Sequence, residues 1–398
     1  MPPRPLPERY LLLGLRLGRH VDGLVDGYYG PPELKAEVER EEPAGAAALV
    51  EEANALLSEV EEAELELQRR RWLTAQLHGL ACVAEMVAGA DVAWPDAVRR
   101  CYGVEVTPAP EDAFAKVHEQ LDAALPGSEP LADRLERWRQ SQDVAPETIL
   151  PAFQKLIDEL RRRTAELTDL PDGERIDVEL VTGEPWGAYN WYLGGLKSRI
   201  EINTDLPLRS YVVPILAAHE GYPGHHTEAV CKEARLVRDR GHLETSILLI
   251  HTPECLVSEG IAQIAIEQAL GDDWVGAAAE ILRPLDVPFD VDVAKVVADA
   301  QDALEDVDVN IAYHASESGW SIDEAVDYHR RWALTPEERA RRSVGFDTHP
   351  MWSVYVPTYS RGRRLAREYA SSRRDGFRRL LNEQLTTADL VRSAAGAA

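Results

Sequence analysis

Ala217-Ala-His219-Glu220-Gly-Tyr-Pro223-Gly224-His225-His226-Thr-Glu228 places three of the chain's eleven histidines within eight residues. The familiar zinc-hydrolase pattern, HExxH, sets two imidazoles one helical turn apart with a glutamate base between them. Here the second histidine comes six or seven residues after the first. On an unbroken helix a residue six positions on faces about 120° away, and one seven on lies ~10 Å along the axis, so neither would share a metal with His219. Pro223 changes that expectation. It lacks the N–H that would bond the His219 carbonyl, and its ring clashes with that carbonyl. Gly224 tolerates backbone that other residues avoid. Pro-Gly is therefore expected to act as a two-residue bulge that returns His225 to the place of an i+4 histidine. His226 is the alternative to His225 if the bulge closes one residue later.

A catalytic zinc needs a third protein ligand and an open position for water. Glu259, in Thr252-Pro-Glu-Cys-Leu-Val-Ser258-Glu259-Gly260-Ile-Ala, is the expected donor. It follows a helix start at Thr252-Pro253 and sits among apolar neighbours, where an unpaired carboxylate would be costly. Glu254 and Glu228 are weaker candidates. Upstream, Ile176-Asp-Val-Glu-Leu-Val-Thr, Gly187-Ala-Tyr-Asn-Trp-Tyr-Leu-Gly and Ser198-Arg-Ile-Glu-Ile-Asn read as short antiparallel strands. They lead into an apolar helix starting near Ser210. Such a sheet offers an edge to an extended peptide, or serves as a structural hairpin.

Elsewhere the periodicity is helical, with Ala, Leu and Glu recurring over 46–88. Ser321-Ile-Asp-Glu324 and Thr335-Pro-Glu-Glu338 read as capping boxes. The acidic run Glu59–Glu66 and the basic run Arg161–Arg163 read as solvated helix faces. The fold class is therefore mainly α: a single large helical domain with a small antiparallel β-sheet before the zinc-binding helix. Residues 1–170 form an N-terminal helical part. Residues 171–398 form a catalytic part that holds the sheet (176–206), the metal helix and the third-ligand helix. The two parts are expected to make one compact unit.

The chain has 398 residues, 45% of them hydrophobic and 28% charged, which excludes disorder and disulfide-stapled miniproteins. A net charge of −26 argues against nucleic acid and anionic membranes as partners. Cys82, Cys101, Cys231 and Cys255 form no CxxC pair and read as buried free thiols. With no apolar leader at Met1–Arg9, the expected location is cytoplasmic.

At these residues the sequence resembles a bacterial family catalogued as domain of unknown function 885, whose hallmark is HExxPGHH followed by a Glu-Gly segment on a later helix. His219–His226 and Ser258-Glu259-Gly260 match those blocks. Asn310-Ile-Ala-Tyr-His314 with Gly319-Trp320-Ser321, and Thr358-Tyr359-Ser-Arg-Gly362, are similar to two later ones. Asp26-Gly27-Tyr-Tyr-Gly-Pro matches more loosely. Asn310 stands where the family tends to have Asp, and Asp306 where a basic residue is usual. The resemblance implies a mostly helical fold similar to that of thermostable zinc carboxypeptidases, and metallopeptidase activity.

The expected function is a zinc-dependent, carboxypeptidase-like hydrolase of a peptide or small amide substrate. Zn²⁺ would be held by His219, His225 and Glu259. Glu220, next to a ligand, would be the base. Tyr359 or His314 would donate to the oxyanion, and Arg361 is the nearest cation for a terminal carboxylate. Two other readings stand beside this one. The first is a helical binding protein with a structural zinc completed by His251 or Cys231. The second is a metal-dependent hydrolase or transferase acting on a non-peptide amide or ester.

Overall fold

A computed structural model describes residues 4–184 and 186–395. The chain is mainly helical, and its helices gather around one of them, Pro253–Leu270. That helix is buried on nearly every side, from Cys255 and Leu256 through Ile261, Ile264 and Ala265, because helices pack against it all round. Its closest neighbour is Pro357–Ser371. The two cross at Gly260 and Gly362, where an added Cβ would lie 2.5 Å from the Gly362 carbonyl in one case and 2.7 Å from the Leu256 carbonyl in the other. Glycine lets the two backbones touch, and this crossing sets Tyr359 beside the turn that carries Glu259.

Among the described residues five strands form two small sheets. The first pairs β1 (Val25–Tyr28) with β5 (Ile247–Leu249), antiparallel; neither strand was visible in the residue pattern, since each is only three or four residues long. The second holds β2 (Arg175–Val181), β3 (Ala188–Gly194) and β4 (Lys197–Asn203) in the order β2-β4-β3. The three strands lie where they were expected. The β3–β4 pair is antiparallel, but β2 pairs with β4 in parallel. The chain leaves β2, skips the middle position and returns into it through the tight turn at Gly194 and Gly195, both at positive φ. On β4, Ser198, Ile200 and Ile202 face inward and are fully buried.

The cores join both halves of the chain. Leu11, Leu13, Trp72 and Leu80 share one cluster with Ile247, Leu249, Leu256 and Val354. Phe153 and Leu156 share another with Ile200, Ala217 and Ala265. The Ser321 capping box forms as expected, with Glu324 returning to the Ser321 N–H at 2.8 Å. The Thr335 box does not. Thr335 Oγ1 pairs with His329 Nδ1 at 2.9 Å, and the next helix starts at Glu337 behind Pro336. The acidic run is not one helix face either: the helix stops at Glu62, Ala63 is extended, and a new helix starts at Leu67. Among the described residues no helix is long and apolar enough to cross a membrane.

Candidate metal centre

The apolar helix Val212–Leu216 widens into a π turn over Ala217–Gly221, which carries His219 and Glu220. The chain then leaves the helix through Tyr222-Pro-Gly, and a second helix runs from His225 to Lys232. The histidine pair therefore does not sit on one bulged helix, as the sequence suggested. It spans a break between two helices, closed by the Gly224 N–H on the Ala218 carbonyl at 2.9 Å. Gly224 is packed so closely under the His219 carbonyl that a Cβ there would lie 1.9 Å from that oxygen.

This break brings His219 and His225 together edge to face, ring centroids 4.7 Å apart. Glu259 reaches them from the second turn of the central helix. Its Oε2 lies 3.9 Å from His219 Nε2 and its Oε1 3.6 Å from His225 Nε2. One ligand atom from each of the three residues falls within 4.8 Å of the others. Glu259 Oε2 is buried and has no hydrogen-bond partner, a costly state for a carboxylate oxygen. Two imidazoles, one carboxylate and an orphaned oxygen at their centre are a donor set that fits a divalent cation.

His226 points elsewhere. It is fully buried, with Nδ1 2.8 Å from Ser198 Oγ on β4 and Nε2 3.0 Å from Glu174 Oε2. It fastens the new helix to the sheet, so the choice between the two histidines falls on His225. His251 and Cys231 are also outside the group: His251 bonds the Tyr102 hydroxyl through Nδ1 at 2.9 Å, and Cys231 packs with Leu196 and Val230. All four cysteines are buried and free.

The charges in the group are strongly coupled. Burial disfavours a charged His225, yet Glu259 overrides it and raises His225 to about 10. Burial likewise disfavours a charged Glu259, but His225 holds it down at about 2. Burial pushes His219 down to about 4 and Glu220 up to about 7. Glu220 is held in place by β3, where the Asn190 side-chain amide donates to its backbone carbonyl.

The three candidate ligands are supported by a second layer that the sequence reading missed. The Tyr355 hydroxyl donates to Glu259 Oε1 at 2.8 Å. Tyr359, one turn later, packs edge-on against Tyr355 with centroids 5.3 Å apart. Their i, i+4 spacing in the sequence was the available signal. His225 Nδ1 lies 3.2 Å from Ser258 Oγ, which donates to Glu228 Oε2 at 2.5 Å. Lys232 then bonds both Glu228, at 2.6 Å, and Glu254, which also accepts the Trp72 indole N–H at 2.7 Å. Glu228 and Glu254, weighed earlier as ligands, instead clamp a buried lysine. Such outer partners fix ligand orientation and basicity.

These groups open onto a cavity of about 810 Å³. His219, Glu220, His225, Glu259, Tyr355 and Tyr359 all line it, as do Ala188–Tyr192 of β3 and Asp26 of β1. His314 does not. It sits on the Asp306–Glu317 helix, with Nδ1 3.0 Å from Ser318 Oγ and its ring stacked on Trp320. Arg361 is outside the lining too, because Asp306 holds its guanidinium at 2.8 and 3.1 Å.

No family model matches the chain, and no curated protein matches it. The resemblance to domain of unknown function 885 therefore stands on its motif residues. Among solved structures, a candidate lipoprotein from Colwellia psychrerythraea is similar over 88% of this chain and 67% of its own, with 16% identity and a TM-score of 0.56. A candidate lipoprotein of unknown function from Shewanella oneidensis is similar over 94% of this chain and 77% of its own, with 11% identity and a TM-score of 0.51. An M32 carboxypeptidase from Deinococcus radiodurans aligns over 98% and 94% at 11% identity, with a TM-score of 0.41, too low to establish a shared fold. The first two likenesses show that this mainly helical fold occurs in two bacterial proteins, and they show the fold alone.

Proposed function

We propose that the chain is a zinc-dependent hydrolase that cleaves peptide or related amide bonds. The observation that carries this reading is the convergence of His219, His225 and Glu259 in one cavity with Glu220 beside them. When bound, Zn²⁺ supplies Lewis-acid polarisation of the carbonyl and lowers the pKa of water. Glu220 is held at the cavity wall, so it accepts the proton of the attacking water and returns it to the leaving amine. Tyr359, whose phenol is neutral and faces the cavity, donates to the oxygen on which charge develops. Tyr355 keeps the Glu259 carboxylate aimed at the two imidazoles. β3 is an edge strand along the same cavity, which supports an extended peptide lying against it.

The donor set has three members, whereas a closed structural zinc takes four. That count, with a carboxylate base alongside, favours catalysis over a binding protein with structural zinc. The free thiols support the cytoplasmic location, which forms part of the same proposal.

The test joins metal analysis with kinetics. Purified wild type should carry one zinc per chain and cleave members of a peptide library. Glu220→Gln should keep the zinc and the fold yet lose several orders of magnitude in turnover. Loss of the metal in that variant, or unchanged turnover, would overturn the role of Glu220; wild type without zinc would overturn the site.

A further inference from the structure

The cavity wall is rich in carboxyl groups. Six carboxylates line it: Asp22, Asp26, Glu220, Glu228, Glu254 and Glu259. Among its described lining residues, Lys232 is the one lysine or arginine. That ammonium is 4% exposed and bonded to both Glu228 and Glu254, so the three groups together carry a net negative charge. Even a divalent cation on His219, His225 and Glu259 is balanced by Glu220 and Glu259, which leaves four carboxylates against Lys232. Among the described lining residues no arginine is present and the one lysine is already paired, while Arg361 is neutralised by Asp306 outside the wall.

The remaining wall is aromatic. Trp186, Tyr189 and Trp191 cluster with ring centroids 4.6 to 6.1 Å apart, and Trp352 and Phe346 stack on another side. Asp26 joins the first cluster directly, because its Oδ1 accepts the Tyr189 hydroxyl. Ring faces and carboxylates attract the same kind of ligand, a weakly hydrated or organic cation.

We propose that the substrate presents a cation, a primary ammonium or a guanidinium, to Asp26 and the Trp186–Tyr189–Trp191 cluster, and is not held by a C-terminal carboxylate. The inference rests on the hydrolase reading for the substrate being a peptide or amide. It replaces a carboxypeptidase mode with recognition of either a free α-amine or a Lys or Arg side chain.

Binding is measured first, without turnover, by tryptophan fluorescence of the full chain freed of metal with a chelator. The probes are norleucine amide (α-ammonium only), Nα-acetyl-lysine amide (side-chain ammonium only), Nα-acetyl-norleucine amide (neutral) and Nα-acetyl-norleucine (carboxylate). At least one cationic probe should bind roughly tenfold or more tightly than the neutral one, and added salt should weaken it. Which cationic probe wins distinguishes the two sources. Asp26→Asn should bring the ratio of cationic to neutral binding to within about threefold. Tyr189→Phe, which keeps the ring and frees the carboxylate, should lower that ratio less, and a thermal melt of each variant checks its fold. Equal binding of the neutral probe, or tighter binding of the carboxylate probe, would overturn the inference. The zinc-loaded protein is then given one peptide with its amino terminus free or acetylated, Lys or norleucine near the scissile bond, and its carboxyl terminus free or amidated. Amidation should leave kcat/KM within about threefold while loss of the preferred cation lowers it roughly tenfold or more. No cleavage of any member, with cation selectivity intact, would refute the hydrolase reading and leave the charge selectivity standing.

Discussion

Gly224→Ala tests the geometry of the proposed metal centre without touching a candidate ligand. The alanine Cβ would lie 1.9 Å from the His219 carbonyl oxygen and 2.4 Å from that of Ala218. Both obstacles are backbone, so no side chain can swing away. Moving from 1.9 Å to the 3.4 Å of an ordinary contact requires a separation of about 1.5 Å between position 224 and the turn that carries His219. Metal–ligand distances tolerate shifts of only about 0.2 Å, so His219 and His225 would no longer address one ion. The same displacement breaks the Gly224 N–H bond to Ala218. Overpacking of this kind costs about 1–3 kcal/mol or more, and the lost hydrogen bond about 1 kcal/mol. In a chain of this size the melting temperature should fall by only roughly 2–5 °C. The assay is zinc stoichiometry with a thermal melt and the turnover rate. The variant should be folded at 25 °C, nearly free of zinc and without activity. A Gly224→Ala protein with full zinc and wild-type turnover would refute the claim that the close-packed break assembles the ligands.

Tyr359→Phe should lower kcat and kcat/KM together by ~10²–10³ with zinc content unchanged, the scale for one oxyanion donor; unchanged kinetics would return Tyr359 to packing. Tyr355→Phe removes the partner of Glu259 Oε1, so it should weaken zinc affinity by roughly 10–100-fold in a chelator competition, and unchanged affinity would argue against that role. In metal-free protein, the proton on His225 is stabilised by Glu259, with a pKa of about 10 against the ordinary 6.5. A raised folded pKa gives stability that is complete below 6.5 and lost as pH rises toward 10. Thermal melts in chelator should therefore fall between pH 7 and 10, and a flat profile would contradict the pairing.

The residues that converge in the cavity were more legible than the backbone that brings them together. Histidine, glutamate and proline are informative by type, so His219, Glu220, His225 and Glu259 could be picked out from spacing and apolar setting alone. The form of the break could not, because a π turn is decided by how Ala217 and Gly221 pack against neighbours distant in sequence, such as Ile157 under Gly221. The β2–β4–β3 order was hidden for a similar reason: alternation marks a strand but not its partner or direction. Asp26 was matched only within a loose motif and given no role, Tyr355 gains its role from Glu259 on a distant helix, and Lys232 gains its role from Glu254 as well as from Glu228 one turn back. His314 and Arg361 show the converse error. Proximity to a motif placed them near the site, but neither lines the cavity.

The pairing of β1 with β5 bears on how this protein is made. About 220 residues separate Tyr28 from Ile247, and ribosomes add ~5–20 residues per second. The first strand, with the leucine-rich helix before it, therefore waits on the order of 10–40 s for the partner that covers it. During that interval an unpaired edge and a strongly apolar surface are open to other chains. The Asp26 wall of the cavity cannot settle until the middle of the sequence has been synthesised, nor the Tyr355–Tyr359 wall until nearly all of it has. The centre is thus among the last parts of the molecule to form, and nascent chains are the species that holding chaperones should capture.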